Sequence, residues 1–142
     1  MIFMKNLKLI LFTSLFVFLL SSCAQKVSFP VSQVLPSADA VAKIKKDKND
    51  NYQIDLKVKH LTSPDRLSPP REMYVVWIET SKGTTNLGQL KSSKSMFSSA
   101  RNASMTTTTP HKPSRFIITA EDQADNKEPG TQVILEAEVR EK

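Results

Sequence analysis

A boundary at Cys23 divides this chain into a hydrophobic leader and a polar body, and it limits what the remainder can fold into. Lys5 and Lys8 supply positive charge at the start, residues 9–20 form an uncharged and mostly apolar run, and two serines precede the cysteine. This order is typical of a helical secretory signal peptide, and the run is shorter than the roughly 20 apolar residues of a membrane-spanning helix. Residues 1–22 are therefore predicted to direct export and then to be removed.

The sequence Leu20-Ser21-Ser22-Cys23 resembles the lipobox of bacterial lipoproteins. The resemblance implies a diacylglyceryl thioether on the Cys23 sulfur, cleavage between Ser22 and Cys23, and acylation of the new amino terminus with a chain such as palmitate. Two or three acyl chains, each contributing about 0.8 kcal/mol per buried methylene, give a lasting anchor. Ala24 follows the cysteine where an aspartate often signals inner-membrane retention, which favours the outer membrane if the cell has one. The alternatives are an uncleaved anchor, or a secreted protein in which Cys23 has no role.

Net charge and length limit the fold and the partners of the chain that follows the leader. Loss of Lys5 and Lys8 lowers the net charge from +6 to +4, a mild basicity that suits anionic headgroups or surface polymers, whereas nucleic acid is not an expected partner of an exported protein. With the only cysteine lipidated, no disulfide forms, so about 120 residues must fold around one packed core. We assign residues 23–39 to the lipidated cysteine and an extended tether, and residues 40–142 to one domain.

Period-two alternation marks the first hairpin. Apolar residues alternate with polar ones from Ala42 to Lys45 and from Tyr52 to Val58, on either side of the turn residues 48–51. This pattern predicts two strands with one buried face and one wet face. The wet face would present a basic patch for an anionic partner, formed by Lys43, Lys45, Lys57 and Lys59. The alternative is that lysines on an edge hairpin prevent edge-to-edge aggregation.

The centre of the predicted core is the strand at residues 73–78, which is rich in β-branched and aromatic residues. Such a run is typical of a strand covered on both faces or central in a sandwich. Trp77 and Tyr74 are candidates for a sugar-binding platform, but aromatic side chains inside an apolar strand more often pack in the core, and Trp77 is interpreted in that way. Gly88, in the next strand, predicts a bulge or a close backbone approach.

The remaining strands are shorter. We predict a first edge strand around residues 27–34 and later strands over 85–91, 115–121 and 132–140. Residues 92–114 are predicted to be mostly loop, with one weak strand around 103–108, and the threonine run 106–109 is interpreted as mobile loop rather than a ligand or glycan site. About seven short strands, with no helix after the leader, indicate an immunoglobulin-like antiparallel β-sandwich.

The order of several motifs resembles the extracytoplasmic domain of anti-sigma-K factors. The residues that carry this resemblance are Pro69-Pro70, Tyr74-Val75-Val76-Trp77-Ile78, Leu87-Gly88, Phe116-Ile117-Ile118-Thr119-Ala120-Glu121 and Pro129-Gly130, and above all the joint order of Trp77, Gly88, Glu121 and Gly130. The resemblance implies a small sandwich over residues 40–139. That family carries a cytoplasmic sigma-binding domain before a membrane helix, whereas a lipid is predicted here, so the resemblance extends to the fold and not to sigma-factor inhibition.

Residues for catalysis or metal binding are sparse. His60 and His111 are the only histidines, and a zinc site needs three or four protein ligands. Glu121 and Asp122 are strand neighbours whose side chains point to opposite faces, so they do not flank one substrate bond. The sequence contains no nucleophile elbow, zinc-protease motif or phosphate loop, and we predict neither enzyme activity nor a cofactor.

These observations predict a membrane-anchored lipoprotein that displays a non-catalytic β-sandwich for binding, scaffolding or envelope sensing. Its predicted partners are membrane lipid, through acylated Cys23, and an envelope protein or polymer that the sequence does not identify. An accessory subunit of an envelope enzyme or transporter complex is the alternative, and a small hydrolase is a more distant one.

Overall fold

The computed structural model describes residues 23–94 and 100–141, so the predicted signal peptide and Ser22 lie outside the described residues. The described part is all-β, apart from one short 3-10 turn at Pro64–Arg66. Its strands are β1 (Gln25–Ser28), β2 (Asp39–Lys46), β3 (Tyr52–Leu61), β4 (Met73–Thr80), β5 (Gly83–Gln89), β6 (Ser92–Lys94), β7 (Arg101–Thr109), β8 (Arg115–Glu121) and β9 (Val133–Glu138). The predicted antiparallel β-sandwich is confirmed.

Two antiparallel sheets form the sandwich. The five-stranded sheet has the order β1-β2-β3-β7-β6, and the four-stranded sheet has the order β5-β4-β8-β9. The predicted hairpin is β2 and β3, and Asp47 holds its turn by accepting hydrogen bonds from the backbone N–H groups of Asn49 and Asn51 at 2.7 and 3.0 Å. Asp50 in this turn adopts a left-handed conformation with φ of 62°, which Asp tolerates better than most residues.

The main core lies between the two sheets, where alternate residues of each strand meet. Its largest fully buried side chains include Tyr74, Phe116, Ile54, Leu56, Leu61, Ile78 and Ile118. Strand β4 is buried on its other face too, since Val75, Trp77 and Ile117 form a second cluster on the outer side of the four-stranded sheet. This explains why the strand is apolar at nearly every position, and it confirms Trp77 as a core residue.

The first strand begins earlier than predicted. It spans Gln25–Ser28 rather than residues 27–34, and Val27 is buried in the main core. Pro30 follows soon after the strand, and a residue without a backbone N–H does not donate to a sheet ladder. Part of the segment assigned to a tether is therefore an edge strand paired with β2.

Residues 92–114 were predicted to be mostly loop with one weak strand around 103–108, and residues 95–99 lie outside the described residues. The strand is confirmed and is longer than predicted, whereas the prediction of mostly loop is wrong, because 92–94 and 101–109 are strand. Strand β7 runs over Arg101–Thr109 between β3 and β6, and its residues from Ala103 to Thr109 alternate between the core and solvent. Threonine suits strands because its β-branched side chain packs well on a pleated surface. The threonine run is thus part of the sheet, and the described strands number nine rather than about seven.

Burial of Tyr74 gives the fold a dependence on alkaline pH. The Tyr74 hydroxyl donates a hydrogen bond to the Thr62 carbonyl at 2.9 Å, and burial raises the pKa of Tyr74 from 10.0 to about 12. Between these values the unfolded chain loses a proton that the folded chain keeps, so the free energy of unfolding falls as the pH rises. We expect a loss of roughly 1 to 2 kcal/mol, measured by urea denaturation at about pH 9 and about pH 11.

Two variants test the assignment to Tyr74. Tyr74→Phe should flatten this part of the pH dependence and cost about 1 kcal/mol at neutral pH, where the Thr62 carbonyl loses its donor. Tyr52→Phe, at the other tyrosine of the chain, should keep the wild-type slope. Equal slopes in wild type and Tyr74→Phe would contradict the prediction.

Candidate functional site

Cys23, the predicted lipidation residue, lies at the start of the described chain. Its thiol is free and its side chain is exposed. Only Ala24 separates it from Gln25, the first residue of β1. In the described part of the chain, no helix is long and apolar enough to cross a bilayer.

The four lysines of the predicted basic patch share one face. All four are exposed, on the opposite side of the five-stranded sheet from the buried residues of β2 and β3. In the register, Lys57 pairs with Val41 and Lys43 pairs with Asp55. Strand β3 is bonded on both sides, to β2 and to β7, so Lys57 and Lys59 lie in the middle of the sheet. The edge-protection interpretation therefore does not apply to these two lysines.

Two more lysines extend the patch, and neither was predicted. Lys26 of β1 pairs with Lys43, and Lys91 lines a depression together with Lys57 and Lys59. We call this surface the lysine face, and it comprises Lys26, Lys43, Lys45, Lys57, Lys59 and Lys91. The alternation of exposed and buried residues in β1 could have predicted that Lys26 faces solvent. Lys91 had no local signal, because its position depends on pairing between β6 and β7.

A second group of residues surrounds the buried carboxylate of Glu121, which is 6% exposed. Its Oε1 accepts hydrogen bonds from the Thr119 hydroxyl at 2.6 Å and the Gly130 N–H at 2.7 Å, and its Oε2 accepts one from the Asn126 side chain at 3.1 Å. The indole N–H of Trp77 in turn donates to Thr119 Oγ1 at 2.8 Å. These hydrogen bonds connect Trp77, strand β8 and the loop that follows β8.

The same loop is held from the other side by strand β5. Asn86 donates to the carbonyls of Ala124 and Asn126 at 2.9 and 2.8 Å, and its Oδ1 accepts from the Gly88 N–H at 2.7 Å. Gly88 has a φ of 103° at a register shift between β4 and β5, which confirms the predicted bulge. Four residues that carried the family resemblance, Trp77, Gly88, Glu121 and Gly130, thus belong to one hydrogen-bonded region.

A glycine is required at position 130 because the Glu121 carboxylate lies very close to its Cα. A Cβ added at this position would lie 2.7 and 2.8 Å from the two carboxylate oxygens of Glu121. Both oxygens accept hydrogen bonds from the protein, so the carboxylate fixes the loop. Asp122 is engaged elsewhere, with its Oδ2 2.7 Å from Nη1 of Arg71. The two neighbouring carboxylates therefore have different partners, and Asp122 follows the last residue of β8 rather than lying on the strand.

The two histidines do not belong to a metal-binding group. In residues 23–94 and 100–141, no three His, Cys, Asp or Glu side chains gather closely enough to hold an ion. His60 has a φ of 58° and lies where the β3–β7 register shifts, so its position is explained by the backbone.

No protein-family model, curated protein or solved structure matches this chain. The likeness to the anti-sigma-K domain therefore stays a prediction from the pattern of residues.

Proposed function

We propose that this protein is a membrane-anchored lipoprotein whose β-sandwich works by contact, as a binding, scaffolding or envelope-sensing module. The basic and apolar leader before Cys23 supports export. A lipid on the Cys23 sulfur then holds the domain at a membrane surface, which is the outer membrane in a cell that has one.

The position of Cys23 carries the proposal. Its side chain is exposed, and the first buried residue after it is Val27. Acylation at such a site leaves the core packing unchanged, because no core side chain has to move. Since β1 is hydrogen-bonded to β2, an anchor on Cys23 is also fixed directly to the edge of the five-stranded sheet.

The hydrogen bonds of the buried polar groups support a role in contact rather than catalysis. Glu121 is occupied by hydrogen bonds within the protein, and every fully buried side-chain nitrogen and oxygen in the described ranges has a partner. The exposed lysines of β2 and β3 lie together on one broad sheet surface, the lysine face. Broad charged surfaces are suited to binding another surface or a polymer.

Mass spectrometry of the protein from its native host tests the anchor. The expected amino-terminal peptide begins at Cys23, carries a diacylglyceryl group on sulfur and has an acylated amino terminus. A peptide that retains residues 1–22, or an unmodified Cys23 sulfur, would overturn the proposal.

A further inference from the structure

The lysine face carries more positive charge than its surroundings neutralise. It presents six exposed lysines, and the acidic residues on the same surface are Asp39 and Asp55. Asp55 accepts hydrogen bonds from the Thr106 hydroxyl and the Gln53 amide. Within the described residues, none of the six lysines belongs to an ion pair. Their charge is therefore available to an external partner.

The shape of this surface suits a flat partner. From Lys45 to the position of Lys59 the face is about 20 Å long, and five strands make it about 19 Å wide. Strand β7 contributes short polar side chains such as Asn102, Ser104 and Thr106, which do not rise between the lysines. A shallow depression of about 230 Å³ lies among Lys57, Lys59 and Lys91 and is lined by Asn102 and Ser104. Lysine ammonium groups beside hydroxyl and amide groups suit a phosphate.

The opposite sheet has the opposite charge. On its outer face, Arg115 is surrounded by three carboxylates, with Nη1 3.5 Å from Glu79, Nε 3.5 Å from Glu138 and Nη2 paired with Glu136. One cation among three anions leaves this cluster negative. The sandwich is thus polarised from one sheet to the other, and an anionic surface attracts the lysine face and repels the outer face of the four-stranded sheet.

The anchor lies beside the basic side of this polarised domain. Lys26 is three residues from Cys23, a span of about 10 Å in an extended chain. Lys45 follows Ile44, which pairs with Gln25, so the lysine end of β2 also lies next to the anchor. A lipid at Cys23 therefore leaves the lysine face within reach of the headgroups. Each lysine near an anionic membrane surface adds attraction, which is how a basic patch reinforces a lipid anchor.

From these observations we infer that the lysine face docks on the anionic phospholipid headgroups of the membrane that holds the Cys23 lipid. The inference rests on the proposed lipid anchor and adds an orientation to it. The domain lies with its five-stranded sheet on the bilayer, and it presents the four-stranded sheet and the Glu121 region to the space outside.

A site-specific probe measures this orientation on the full lipidated protein. A dye is attached to Ser104→Cys on the lysine face, or to Thr84→Cys on the outer face of the four-stranded sheet, where Thr84 pairs with Glu79. The protein is reconstituted in phosphatidylcholine vesicles with and without phosphatidylglycerol. With the anionic lipid present, we expect the Ser104→Cys probe to be quenched less by a neutral aqueous quencher, because each lysine held at an anionic surface raises the ratio of docked to undocked protein about fivefold. The Thr84→Cys probe should not change.

A matched pair of charge variants identifies the responsible groups. Lys43→Gln combined with Lys57→Gln should weaken the protection at Ser104, whereas Lys82→Gln combined with Lys127→Gln removes equal charge away from the face and should leave it at the wild-type level. High salt should also remove it, because exposed charges are screened. Equal quenching in both kinds of vesicle, or protection of both probes, would overturn the inference. Protection by soluble polyphosphate on neutral vesicles, with no protection on anionic vesicles, would assign the face to a soluble polyanion and would overturn it too.

The intact mass of the same samples separates this inference from the anchor. If the lipid is absent, the proposed anchor fails, and salt-sensitive sedimentation with anionic vesicles alone still tests the lysine face. If the lipid is present and the Ser104→Cys probe stays equally accessible in both vesicles, the anchor stands and the docking inference fails.

Discussion

Cys23→Ser is expected to abolish fatty acylation of this protein, an all-or-none result in metabolic labelling with an alkyne analogue of palmitate. A serine hydroxyl does not form the thioether that the lipobox resemblance implies, and the chain has no other cysteine to replace it. We further expect residues 1–22 to remain attached, because cleavage next to Cys23 is predicted to depend on the lipid. Labelling followed by intact mass measurement reads both effects.

The fold itself should tolerate this substitution. Cys23 is exposed and precedes the first strand, so serine should leave the free energy of unfolding within about 0.5 kcal/mol of wild type. Ser22→Ala is the matched control, since it keeps a small residue before the cysteine and should still be labelled. Continued labelling of Cys23→Ser would show that the acyl chain is attached elsewhere.

Glu121→Ala should destabilise the sandwich by about 3 kcal/mol, because it removes the acceptor for three donors at a buried site. The Gly130 N–H and the Asn126 amide lose the carboxylate that holds their loop to β8. Trp77 is connected to that loop through Thr119 and Glu121, and it is the only tryptophan of the chain, so its fluorescence reports the change. We expect emission to shift to longer wavelength as water reaches the indole, together with a lower midpoint in urea denaturation.

Two further variants distinguish the effect of losing these hydrogen bonds from the effect of losing a negative charge. Glu128→Ala removes an exposed glutamate from the same loop and should leave both emission and stability near wild type. Glu121→Gln keeps the shape and one oxygen acceptor, so its stability should fall between those of wild type and Glu121→Ala. Unchanged Trp77 emission in Glu121→Ala would mean that the loop is held by Asn86 and its other contacts alone.

The strands that were predicted well are those with regularly spaced apolar residues in the sequence. Strand β8 was predicted at residues 115–121 and occupies Arg115–Glu121, and the hairpin of β2 and β3 was predicted from alternation and its turn. Strand β7 was underestimated because serine and threonine have no strong hydrophobic period. Its position is set by pairing with β3, in which Met105 lies opposite Leu56 and Thr107 lies opposite Ile54.

The residues of the candidate sites were likewise predicted where a local pattern exists and missed where it does not. Sequence alone predicted the exposed lysines of β2 and β3, since alternation assigns them to the wet face. It did not predict Lys91, nor that β3 lies in the middle of its sheet. It identified Trp77, Glu121 and Gly130 as single positions in a resemblance, without the hydrogen bonds that connect them.

By itself, then, the sequence determined an all-β class, the principal hairpin and an apolar strand covered on both faces, because these follow from local patterns of hydrophobicity and turn residues. The tertiary structure sets which strands are central, which lysines share one surface and which loop is connected to Trp77 by hydrogen bonds. Those features depend on residues far apart in the chain coming together, as in the hydrogen bond from Asn86 to Ala124 and the depression that Lys57 and Lys91 both line, and no local pattern encodes them.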